Sequence, residues 1–124
     1  MNVNQKIEAA LSEIVDERIW PLSCPLEEKP DEYIVYLPEE DYSADFGNDE
    51  EHAWMHRMEV NWYKKGSTKT KAVNYMGARK QIRGALKNAG FSVSNILYFF
   101  ETDTGYTHLT FICSIQEDDP YGEV

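Results

Sequence analysis

The sequence predicts a single α+β domain: an antiparallel sheet with two helices packed on one face, in the order α-β-β-α-β-β. Three observations carry this. Apolar residues recur at helical spacing in two segments, alternate strictly with polar ones in others, and clusters of Gly, Pro, Asn and Asp separate the segments. The chain has 124 residues, 42% hydrophobic and 13% aromatic. A chain of this length buries about two-thirds of its unfolded surface, enough for a core without metals or disulfides.

The first helix follows from Val3, Ile7, Ala10, Leu11 and Ile14, one apolar stripe. Asn2 stands at its cap with Gln5 in the capping-box position, and the helix should end before Trp20-Pro21, because a residue preceding proline is driven out of the helical region. Pro21, Pro25 and Pro30 punctuate a connector. Tyr33 to Leu37 is a β-rich run that Pro38 should end, and Glu39 to His52 reads as a long, mobile acidic loop around Gly47-Asn48. The next strand, about Trp54 to Tyr63, sets Trp54, His56, Met58, Val60 and Trp62 on one face and Arg57, Glu59 and Asn61 on the other. Lys64 to Ser67 is the turn out of it.

A second helix is expected from about Thr68 to Ala89, closed by Gly90. Its inward stripe is Tyr75, Ala78, Ile82, Ala85, Leu86 and Ala89. Val73 and Met76 fall instead with Lys69, Lys80, Arg83 and Lys87 on a separate flank, which points to a docking partner there. The chain closes with a hairpin. Phe91 to Glu101 holds five consecutive apolar residues from Ile96 to Phe100, so both of its faces want cover. Thr102 to Gly105 makes the turn, and the return strand sets Leu109, Phe111, Cys113 and Ile115 inward. The domain is expected to span residues 1–116, with an acidic tail at 117–124.

Charge is unevenly divided. From Val60 to Phe100 there is no acidic residue, while Lys64, Lys65, Lys69, Lys71, Arg79, Lys80, Arg83 and Lys87 give the segment eight positive charges. The remainder carries all 22 acids against four basic residues, and the net charge is −10. Such a balance disfavours a nucleic-acid binder, since phosphate neutralisation by Lys and Arg supplies most of that affinity. It favours self-complementarity, the basic segment of one copy meeting the acidic segment of the next in a head-to-tail contact. The residues expected in that contact are Lys69, Val73, Met76, Lys80, Arg83 and Lys87 on one side, and Glu39, Glu40, Asp41, Asp45, Asp49, Glu50 and Glu51 on the other.

Other chemistries find little support. No apolar run reaches the length of a membrane span, and the start lacks the order of a signal peptide, so the expected location is the cytoplasm of the producing cell. Cys24 and Cys113 do not make a disulfide framework, and Cys113 alternates inward as a small core residue. His52 and His56 are four apart on a strand, too distant for one metal. The acids form no pair with separated environments, and no glycine-rich phosphate loop is present. No catalytic residue, metal or cofactor is expected.

Several local patterns match a known group. His56-Arg57-Met58-Glu59-Val60-Asn61-Trp62-Tyr63, the Gly66-Ser67 turn before the long helix, and the hairpin Glu101-Thr102-Asp103-Thr104-Gly105-Tyr106-Thr107-His108-Leu109-Thr110-Phe111 carry the match. On these the chain resembles the tail-completion, or tail-terminator, head-tail joining proteins of long-tailed bacteriophages and prophages. The resemblance implies a non-enzymatic virion protein that forms a ring, typically a hexamer, on the finished tail tube. It stops tube polymerisation and offers a surface to the head-tail connector of the neck. The implied partners are other copies of itself, the tail tube protein and the connector, met in the host cytoplasm during assembly and kept in the virion tail or neck. The very acidic 27–51 segment departs from the pattern. Three further readings remain: another neck component, an acidic inhibitor that mimics DNA, and a ligand-binding domain with Trp54, Trp62 and Tyr98 around a pocket.

Overall fold

The computed structural model describes residues 1–44, 53–66 and 73–116. Helix α1 (Val3–Leu11) starts with the reciprocal cap written in its sequence: the Gln5 N–H donates to the Asn2 side chain and the Asn2 N–H to the Gln5 side chain, each at 2.9 Å. One 3-10 turn, Ser12–Val15, follows. The chain then passes through Asp16 (φ 56°) and Glu17 (φ 66°), left-handed conformations that cannot continue a helix, so the element stops earlier than Trp20-Pro21 requires.

The next segment corrects the expected order by one strand. β1 (Ile19–Pro21) pairs in parallel with β2 (Glu32–Ala44), through Ile19–Ile34, Trp20–Val35 and Pro21–Tyr36, so the sheet is mixed. β2 also runs through Pro38 and takes in Glu39, Glu40 and Asp41, which the sequence places in a loop. The register shifts between Pro38 and Glu40, beyond the last residue paired with β1; a bulged, open edge is where a strand accommodates proline. β3 (Ala53–Lys65), β4 (Ser92–Glu101) and β5 (Tyr106–Gln116) complete a five-stranded sheet of order β1-β2-β3-β5-β4.

Helix α2 (Tyr75–Asn88) begins later than periodicity suggests, because Asn74 caps it, its side-chain oxygen accepting from the Gly77 N–H at 3.0 Å. A Cβ on Gly77 would come within 2.6 Å of the Asn74 amide, so glycine is what lets this cap close. Gly90, at φ 99°, ends the helix as expected.

Both helices cover one face of the sheet. Ile7, Leu11, Ile82 and Leu86 pack against Ile34, Tyr36, Met58, Val60, Trp62, Leu109, Phe111 and Cys113. The Tyr36 hydroxyl donates to the Glu8 carboxylate, tying α1 to the sheet. Burial pushes the Cys113 thiol up to about 12, which keeps it protonated among its apolar neighbours. On the other face a smaller cluster of Cys24, Tyr33, Val35 and Tyr106 sits with Trp20 and Tyr63. The proline-rich connector passes close by. Lys29 Nζ donates to the carbonyls of Cys24 (2.9 Å) and Leu26 (2.7 Å), and the Tyr106 hydroxyl donates to that of Pro30 (2.6 Å).

The two glycines of α2 should respond oppositely in urea unfolding. A Cβ on Gly84 meets nothing within 4 Å, so Gly84→Ala should stabilise by roughly 0.5–1 kcal/mol through helix propensity alone. Gly77→Ala should gain no stability, since the same propensity is offset by a displaced cap whose loss costs about 1 kcal/mol.

Candidate protein-contact surface

Strand order leaves β4 at the margin of the sheet, hydrogen-bonded to β5 on one side only among the described residues. Margins of this kind are ordinarily guarded by charge, proline or brevity. β4 is ten residues long and carries four consecutive large apolar side chains in the open: Leu97 (43% exposed), Tyr98 (47%), Phe99 (49%) and Phe100 (47%). Alternation sends them to both faces. Leu97 and Phe99, opposite Thr110 and His108, lie on the face without helices; Tyr98, opposite Leu109, lies on the helical face.

On the helical face α2 and β4 enclose a groove lined by Met76, Arg79, Lys80, Arg83, Ile96 and Tyr98. Arg79 Nη1 donates to the Tyr98 hydroxyl at 2.6 Å, and the Tyr75 ring meets Tyr98 edge-on at 5.5 Å. Met76 is 54% exposed. Lys80, Arg83 and Lys87 are exposed, and among the described residues no carboxylate lies within salt-bridge distance of them. The expected basic flank therefore exists, with Arg79 added and Val73 removed. Val73 precedes the helix and is 4% exposed within the main core, so it cannot face a partner. Lys69 lies outside the described residues.

The expected acidic counterpart falls on the opposite margin. Past Tyr36 the outer edge of β2 has no strand beside it among the described residues, and it carries Glu39, Glu40 and Asp41, all exposed. These acids face β3 side chains: Arg57 Nε is 3.3 Å from Glu39 and its Nη1 3.8 Å from Glu40, while His56 Nδ1 is 2.7 Å from Asp41. Asp45, Asp49, Glu50 and Glu51, like His52, lie outside the described residues. Among the described residues no three of His, Cys, Asp and Glu come together as metal ligands. Trp54 and Trp62 are eight residues apart along β3, about 26 Å, so with Tyr98 they line no common pocket.

The face without helices is ordered by a buried polar group. Asn61 Oδ1 accepts from the Thr110 hydroxyl and from His108 Nε2, both at 2.8 Å, which fixes the proton of the neutral imidazole on Nε2. His108 stacks on Tyr63 at 4.2 Å and leans on Phe99 at 5.5 Å. Burial lowers its pKa below the ordinary 6.5.

No protein-family model matches this sequence, and no curated protein matches it. Among solved structures, a chain in the virion of the native gene transfer agent (GTA) particle is similar, with a TM-score of 0.61 over 94% of this chain and 91% of that one, at 11% identity. The two chains share a fold.

Because folding lowers the pKa of His108, the unfolded chain takes up the proton first, and stability falls as pH drops through 6.5 toward the folded value. His108→Gln should lose about 0.5–1.5 kcal/mol of ring stacking at neutral pH. It should also flatten the loss of melting temperature between neutral and mildly acidic buffer; an unchanged acid slope would show that His108 does not titrate this way.

Proposed function

We propose that this chain is a structural subunit of a phage-like particle, and that it forms a ring on the end of the tail tube, ending tube growth and presenting a surface to the head-tail connector. The observation that carries the reading is the open row Leu97 to Phe100 on an edge strand beside cations that no carboxylate among the described residues compensates. A contiguous apolar patch rimmed by charge is what a protein-protein contact requires. Shared fold along nearly the whole of both chains with a component of the GTA particle supports a virion setting.

A ring on a tube needs two kinds of contact: a heterologous one between successive copies, which closes the circle, and a second with the tube end. The opposed margins of the sheet supply two different surfaces, one basic and apolar, one acidic, and so suit head-to-tail succession. Neither bond making nor breaking enters this role. The subunit acts by occupying the tube end, so that the next layer of tube protein finds a surface it does not fit.

In a host that produces the particle, deleting the gene should give tubes of uncontrolled length and heads without tails, seen by electron microscopy, and the wild-type gene should restore finished particles. Tubes of normal length that fail to join heads would make the chain a different neck component. Absence of the protein from purified particles would overturn the structural role. Where copies associate, the contact should weaken as salt rises beyond ~0.15 M, at which the screening length is about 8 Å.

A further inference from the structure

Besides the three-residue outer edge of β1, two strand edges are open in the described residues, and they differ in every respect that decides pairing. The β4 edge is apolar from Ile96 to Phe100 and runs beside the cations of α2. The β2 edge is free from Leu37 onward, where β1 has ended, and carries three acids. We infer that the open edge of β4 pairs, antiparallel, with the Leu37–Ser43 stretch of β2 in a second copy, so that one sheet continues from copy to copy. Arg79, Lys80, Arg83 and Lys87 then lie along that copy's Glu39, Glu40 and Asp41. This rests on the subunit reading above and names how successive subunits meet.

Direction follows from the sheet itself. β2 and β3, β3 and β5, and β5 and β4 are each antiparallel, so β4 runs opposite to β2 within one chain. Copies related by rotation about an axis along the strands keep that relation, and β4 meets the next copy's β2 antiparallel with the helices of both on the same side. Level sets the offset between copies. Glu40 pairs with Arg57, Arg57 with Ser114, and Ser114 with Ser92, so the acids stand at the end of the sheet where β4 begins and where the C-terminal turns of α2 lie. The cations at 79, 80, 83 and 87 extend over about 12 Å of helix axis. Leu97 stands level with Val35 through Thr110 and Asn61, where β1 covers the β2 edge. The apolar row therefore meets Leu37–Ser43 through a stagger of about five residues between copies, the kind of offset a closed ring of strands needs. That stagger brings the acids level with Arg79, which bonds Tyr98, and still leaves them near a cation.

Charge also selects against the obvious competitor. Two β4 edges could pair with each other in an isologous dimer, but that would bring two acid-free cationic helices side by side, an arrangement that like charge penalises. The β2 edge resists self-pairing for the same reason with the sign reversed, and the shift at Glu39 adds a bulge. Only β4 on β2 joins opposite charges.

The test uses two reversed variants of the full chain, Lys80→Glu/Arg83→Glu and Glu40→Lys/Asp41→Lys, with thermal melts showing that each is folded. Wild-type protein at high concentration and low salt should associate by light scattering and native mass spectrometry. Each variant alone should be monomeric, and an equimolar mixture should associate again, in even-numbered assemblies, because the intact β2 margin of the first variant fits the intact β4 margin of the second, and the two reversed margins fit each other. Hydrogen exchange should slow in Leu97 to Phe100 on association. Leu97→Lys, at an exposed position that leaves the core untouched, should weaken association at least tenfold and covers the case in which a double variant misfolds. The inference falls if wild-type protein stays monomeric at millimolar concentration, if both variants associate alone, if the mixture does not, or if β4 amides exchange alike in both states. None of those results removes the virion role, which is decided by presence in particles. Conversely, absence from particles with this pairing intact would remove the role and leave the contact.

Discussion

The pairing of β3 with β5 is the constraint on which the rest depends. Met58 stands opposite Cys113, Val60 opposite Phe111 and Trp62 opposite Leu109, all six buried and all on the face that the helices cover. Fully burying one such side chain contributes roughly 1.5–3 kcal/mol, so this double row is the floor on which Ile7, Leu11, Ile82 and Leu86 settle. Putting β5 in the middle has a topological consequence. The hairpin β4–β5 is joined by only four residues, Thr102 to Gly105, so β4 must lie beside β5, and since β3 occupies the inner side, β4 is forced to the margin.

A marginal strand normally loses its apolar residues, and β4 has kept them. Within the monomer, β4's contribution to the core comes from Val93 and Ile96 together with the preceding Phe91. Leu97, Phe99 and Phe100 do not appear in either apolar cluster. Their apolar surface is a cost borne by the isolated chain, in solubility and in aggregation hazard. Such a cost is offset only when something covers it, which is why exposed aromatics on an edge carry more functional information here than the buried ones. The adjacent face points the same way. The Asn61 side-chain oxygen ties Thr110 and His108 together, and His108 in turn leans on Phe99 on that face.

Much of this was legible in the sequence, and what was not has physical reasons. Alternation gives the inward set Met58, Val60 and Trp62 of β3 and Leu109, Phe111 and Cys113 of β5, because those stretches bury one face, whereas Trp54, on the same face by alternation, is exposed at the end of β3. The first cap and Gly90 were legible because they depend on local chemistry alone. β1 was hidden because three residues hold no period, and its parallel partners lie fifteen positions further along the chain. Pro38 reads as a stop, but on an open, bulged edge it forfeits little, and the strand runs on to Ala44. Val73 was placed by helical geometry in a stretch that is not helical, and its burial follows from its position ahead of the Asn74 cap. The basic flank was readable from charge. The run Ile96 to Phe100 is readable as needing cover, yet the sequence alone does not say that the described residues leave Leu97 to Phe100 exposed, since that depends on strand order.

Charge segregation gives this surface a direction that apolar contact alone lacks. Hydrophobic burial is indifferent to orientation: four exposed apolar residues would serve a symmetric dimer, a tangled aggregate or an ordered ring equally well. A net charge of −10 holds copies apart at long range. The acid-free cations of α2 cancel that repulsion only where an acidic margin approaches the α2–β4 edge, and they reinforce it where another basic edge approaches. Exposed pairs of this kind each contribute about 0–1 kcal/mol, too little to hold an interface together. Their effect lies in the difference between orientations, where several pairs change sign together while the apolar contribution stays the same. In the pairing inferred above, the aromatics set how strongly an edge is covered, and the division of charge sets by which edge.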